Sequence, residues 1–110
     1  MDERIKKDLE LIKQGVLETV PAEAIYLFGS HAYGTPQEGS DLDIFVVIPD
    51  SVKKRPLDVG ADILCKLYEK QKPITSVDIV VNPSSMFCRR KEGPTLQRTI
   101  AQKGVKLYGL

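Results

Sequence analysis

The sequence predicts an α/β (α+β) fold, a small mixed β-sheet packed with helices. Three observations lead there. Apolar residues recur at helical spacing through residues 3–19. Three short apolar runs, Ala24 to Phe28, Leu42 to Ile48 and Val77 to Val81, are each closed by Gly or Pro and read as strands. A helical stretch, Leu57 to Lys70, separates the second run from the third.

Each element has its local reason. In the first helix Ile5, Leu9, Ile12, Val16 and Val20 form the stripe, Leu17 widens it, and Pro21 ends it. The first strand closes at Gly29, after which Ser30 is placed to cap a one-turn helix, His31 to Tyr33, stopped by Gly34. "GTPQEGS" is a turn-rich loop. Leu57, Ala61, Leu64, Leu67 and Tyr68 define the expected inner face of the next helix. Pro83 to Arg90 and Thr95 to Gln102 read as short helices, and Val105 to Tyr108 as a last extended piece.

At 110 residues the chain is expected to form one domain, 1–110. No apolar run reaches the ~18 residues needed to span a bilayer, and the charged N-terminus carries no secretory h-region. Cys65 and Cys88 have no metal-like spacing, so buried free thiols in a cytoplasmic protein are expected. Net charge is +1, yet residues 1–50 balance at −6 and residues 51–110 at +7. Solvated helix faces account for that asymmetry as well as a face turned to a polyanion does. Few aromatics and no stacking pattern argue against a nucleic-acid module or a nucleic-acid acceptor.

The chemistry gathers in "LFGSHAYGTPQEGSDLDIFVVIPD", Leu27 to Asp50. A loop of this length lets the first two strands run antiparallel, and the helical crossover makes the second and third parallel. Gly29-Ser30, Asp41, Asp43 and Asp78 then meet at one edge of the sheet. Asp41 and Asp43, two apart on a strand, point to one face. Two such carboxylates repel unless a cation lies between them. With Asp78 they make an oxygen-only set suited to Mg²⁺ or Mn²⁺, and two ions ~4 Å apart can clamp a phosphoryl displacement. The Gly-Ser turn can take phosphate on its free backbone N–H groups and the Ser30 hydroxyl. Phosphate beside metal points to a nucleoside triphosphate. An Asp-x-Asp or a Gly-Ser alone is weak and more often turn chemistry; the combination, with a third Asp opening the next strand, is not.

These residues resemble the signature of the DNA polymerase beta-like nucleotidyltransferase superfamily, and more narrowly its minimal, MntA-type members. That signature is Gly-Ser, about ten residues, Asp-x-Asp, then a later acidic residue; here it is "GSHAYGTPQEGSDLD" and the Asp78 of "VDIVV". The closing "TLQRTIAQKGVKLYG" is also like the family's usual ending. The resemblance implies that Asp41 and Asp43 bind two Mg²⁺ ions, that Asp78 binds the catalytic ion and helps activate the acceptor hydroxyl, and that Gly29 and Ser30 hold the triphosphate, ATP before others. Many members carry Arg where this chain has His31 or Tyr33, which makes His31 the candidate phosphate contact. Minimal members are often encoded beside a HEPN-type ribonuclease and act as its antitoxin, some by adenylylating a tyrosine on it. The resemblance therefore implies a cytoplasmic adenylyltransferase with a HEPN-type toxin as acceptor. The contrasting reading is a module that neutralises its partner by binding alone. Lys53 to Arg55 and Arg89 to Lys91 read first as solvated surface; the alternative is a triphosphate or acceptor contact, with Arg89 to Lys91 nearer the base or partner site.

Overall fold

The computed structural model of the chain describes residues 3–34, 41–70 and 76–109, with all side chains in those spans except Ser30, Tyr33 and Lys70. Most of the "GTPQEGS" loop and the Ser30 hydroxyl lie outside what is described. The elements run α1 (Glu3–Thr19), β1 (Ala24–Phe28), α2 (Ser30–Tyr33), β2 (Leu42–Ile48), α3 (Pro56–Lys70), β3 (Val77–Pro83), α4 (Ser84–Arg90), α5 (Leu96–Lys103) and β4 (Val105–Tyr108).

The four strands form one mixed sheet in the order β3-β2-β1-β4. β1 is antiparallel to β2 and to β4, while β2 and β3 are parallel, as a helical crossover requires. β2 is buried on both faces because both are covered. Leu42, Ile44, Val46 and Ile48 alternate onto the face packed by Leu9, Ile12 and Val16 of α1 and Val59, Ile63 and Leu67 of α3. Phe45 and Val47 alternate onto the other, beneath Phe87 of α4 and Ile100 of α5. Thr95 caps α5 by accepting from the Arg98 N–H at 3.3 Å. The amide of Gln97 donates to Asn82 Oδ1 at 2.9 Å, so this buried pair ties α5 to the far end of β3.

Three expectations are corrected. The inner stripe of α3 is Val59, Ile63 and Leu67; of the expected face only Leu67 is buried, while Leu57 is 81% exposed and Tyr68 is exposed as well. Two apolar stripes compete on this helix, and close packing selects between them. Gly60 has only van der Waals room before Val81 and Ile79 of β3, and Gly15 of α1 leaves space that Leu67 fills. Leu17 is exposed for the same reason, since α1 turns its Gly15 and Asp8 side inward instead. Cys65 and Cys88 are exposed, not buried: Ile63 and Phe87 occupy the inward positions beside them. No described helix is long and apolar enough to cross a membrane.

Candidate active site

β2 and β3 pair in a register that sets Asp43 directly beside Asp78. Paired residues of a parallel ladder share a face, and period two assigns this one to the α4/α5 side. Across β2, Asp43 faces Phe28 of β1, and Gly29 follows at once. Asp41 precedes the strand, but the ladder reaches it: the Leu42 N–H donates to Ser76 O at 2.8 Å. The three predicted carboxylates and the Gly-Ser turn therefore do lie at one edge. Asp41 and Asp78 are exposed and Asp43 is half-buried, which leaves the edge open to a ligand. Among the described residues, no three His, Cys, Asp or Glu side chains are already closed into a metal cage.

Gly29 has φ +77°, a left-handed conformation that disfavours any side chain. A Cβ there would collide with Asp43 Oδ2 and lie 3.1 Å from its Cγ. Sequence reasoning gave Gly29 a role toward a ligand; the structure adds that its missing side chain makes room for Asp43. The turn is closed by the Ala32 N–H donating to Gly29 O at 3.1 Å.

The Asp43 carboxyl is pushed above the usual carboxylate range, first by burial, then by the charges of Asp78 and Asp41; His31 pulls the other way. His31 is thus close enough for its charge to act at the site. A raised carboxyl makes the folded state bind its proton more tightly than the unfolded chain does. The destabilisation is absent below the unfolded value, about 3.9 for Asp, and complete above the folded one. Asp43→Asn should therefore raise the metal-free melting temperature at pH 7 by roughly 1–4 °C, since the group is half in solvent. The gain should vanish on acidification below about pH 4. Melting curves at several pH values check this; a gain that persists at low pH would have another origin.

The donor set fits a hard divalent cation: three carboxylates, all oxygen, whose repulsion a cation would relieve. Arg89, Arg90 and Lys91 end α4, and Lys54 and Arg55 pair with Asp62 and Asp58 around the start of α3.

The family model of the nucleotidyltransferase domain matches residues 9–107. The chain belongs to this family. Three solved structures resemble this nucleotidyltransferase in fold. A Sulfolobus solfataricus protein assigned as a nucleotidyltransferase has TM-score 0.61 and 21% identity over 99% of this chain and 89% of its own. A toxin–antitoxin structure with AMP-PNP has TM-score 0.57 and 24% identity over 93% and 73%. A mutant of the toxin–antitoxin MntA-HpeT has TM-score 0.60 and 23% identity over 93% and 73%. No curated protein matches the nucleotidyltransferase.

Proposed function

We propose that this nucleotidyltransferase moves AMP from ATP to a hydroxyl of a partner protein, a tyrosine of a HEPN-type toxin, and so acts as its antitoxin. The observation that carries the reading is the contact between the Gly29 turn and Asp43, with Asp78 next to it in register. It sets the Gly29 turn against a carboxylate pair, an arrangement that supports transfer from a triphosphate. Two of the solved neighbours are toxin–antitoxin structures, one of them with AMP-PNP.

Asp41, Asp43 and Asp78 would hold Mg²⁺, in two ions, or Mn²⁺ in its place. Bound there, the metal would screen the carboxylates and stabilise charge on the reacting phosphate. Gly29 and Ser30 bind the triphosphate, with His31 beside it. The acceptor hydroxyl attacks the α-phosphorus. Its O–P bond forms as the bond to the diphosphate breaks; the diphosphate leaves, and the hydroxyl proton passes to Asp78. Asp78 suits this step because it is exposed, so an acceptor can reach it.

The test incubates the chain with labelled ATP, Mg²⁺ and the product of the adjacent gene, followed by mass analysis. One added AMP on a partner tyrosine is expected, with ATP binding that collapses in chelator. No adduct with any of the four triphosphates, while the partner is still bound and silenced, would establish the binding-only module instead.

A further inference from the structure

The two faces of the sheet carry charge differently. On one face α1 is balanced, with Arg4, Lys6, Lys7 and Lys13 against Glu3, Asp8, Glu10 and Glu18. Lys6 pairs with Glu3 and Lys13 with Glu10, each at 3.7 Å, and around α3 Lys54 and Arg55 pair with Asp62 and Asp58. The opposite layer, residues 84–109, holds Arg89, Arg90, Lys91, Arg98, Lys103 and Lys106 against one acid, Glu92. All six cations are exposed. Among the described residues, no carboxylate pairs with Arg89, Arg90, Arg98 or Lys103. The C-terminal excess of positive charge is therefore concentrated on one face.

That face is also where Asp43 and Asp78 stand. It carries exposed Leu96 and Tyr108 among the cations. Lys91 lies over the Phe87 ring at 5.8 Å and Lys106 over the Tyr26 ring at 5.7 Å, so the aromatic layer supports both. Beside Lys106 an open groove of about 840 Å³ is lined by Tyr26, Tyr108, Leu107, Ala24 and one exposed acid, Glu23. Tyr26 is two residues along β1 from Phe28, the partner of Asp43. The groove thus begins about 7 Å, one strand repeat, along β1 from Phe28 and runs on toward Ala22, away from the carboxylate edge.

We propose that the α4, α5 and β4 face docks an acidic protein surface, one of whose apolar or aromatic side chains seats in the groove between Tyr26 and Tyr108. Charge complementarity names the sign of the partner, and steering by such a face speeds encounter. Exposed Leu96 among the cations favours a protein over a nucleic acid. A strand of RNA would call for stacking aromatics, and Tyr108 is the one exposed aromatic in this layer. The inference rests on the reading that the acceptor is a protein, and it names the face that the acceptor meets.

The probes are a labelled glutamate–tyrosine copolymer, polyglutamate, and single-stranded poly(A) RNA of matched charge, each titrated against the whole chain. The copolymer should bind tightest. Arg98→Glu with Lys103→Glu should weaken copolymer binding at least tenfold and leave the melting temperature and Mg·ATP binding unchanged. Glu at position 98 completes a capping box with Thr95, so α5 is not lost. Tyr108→Ala should abolish the preference of the copolymer over polyglutamate. Copolymer binding that survives charge reversal, or that ignores added salt in the wild type, overturns the proposal, as does tighter binding of RNA. Docking without AMP transfer leaves this face standing and removes the transferase reading. Transfer that survives the reversal does the opposite.

Discussion

Asp41→Asn and Asp78→Asn should each fold like the wild type and lose nucleotide transfer by about a hundredfold or more. That is the scale seen when one preorganised stabiliser of transition-state charge is removed. Phosphoryl and nucleotidyl transfer leave little covalent work to the protein; positioning and charge are most of the catalysis. Asn keeps the shape of Asp and removes its charge. Both side chains are exposed, so neither supports the core. Each substitution also removes one of the charges that push the Asp43 carboxyl up, so the metal-free protein should melt no lower than wild type. The measurement is single-turnover transfer from labelled ATP alongside a melting curve. Activity within tenfold of wild type in both variants would move the chemistry away from this edge.

Phe45→Ala should have the opposite signature: activity lost only through stability, by about 3–5 kcal/mol. Phe45 is fully buried at the centre of β2. It packs edge-on to Phe28 with ring centroids 6.3 Å apart, and against Phe87 at 5.5 Å. Truncation leaves a cavity under α4 between Phe28 and Phe87. Domains of this size have only about 5–15 kcal/mol to lose, so the urea midpoint should fall steeply with an unchanged slope. A loss below about 1 kcal/mol would mean that α4 collapses onto the sheet. Phe45 also lies two residues from Asp43, so this layer is the bed on which the carboxylates rest.

The site was legible because its spacing is short-range. Ten residues between Gly29-Ser30 and Asp41 specify a hairpin-like return, and a helix between β2 and β3 specifies a parallel pair; Asp43 beside Asp78 then follows. The facing of α3 was not legible. Leu57, Ala61, Leu64, Leu67 and Tyr68 offer as good an apolar stripe as Val59, Ile63 and Leu67, and only the packing of α3 against α1 and the sheet decides between them. The exposure of Cys65 follows from the same facing, since it lies two residues from buried Ile63; Cys88 follows buried Phe87 on α4. The collision that Gly29 avoids needed coordinates, although a glycine directly after a strand was its signal. The clustering of positive charge on one face needed the fold to separate α4 and α5 from α1 and α3.

The order of strands has a consequence for how the chain assembles. β1 lies between β2 and β4, and Tyr26 pairs with Lys106, 80 residues along the chain. A nascent chain can form the β1–β2 hairpin and add β3 through α3 while residues 105–108 are still unmade. Until they arrive, the outer edge of β1 presents unpaired backbone groups beside Ile25 and Leu27, a template for joining another chain. Long-range closure of this kind also slows the last step of folding. The candidate carboxylates are thus assembled early and the sheet is sealed late, so a stalled or clipped chain would carry a complete acidic edge on a sticky, open sheet.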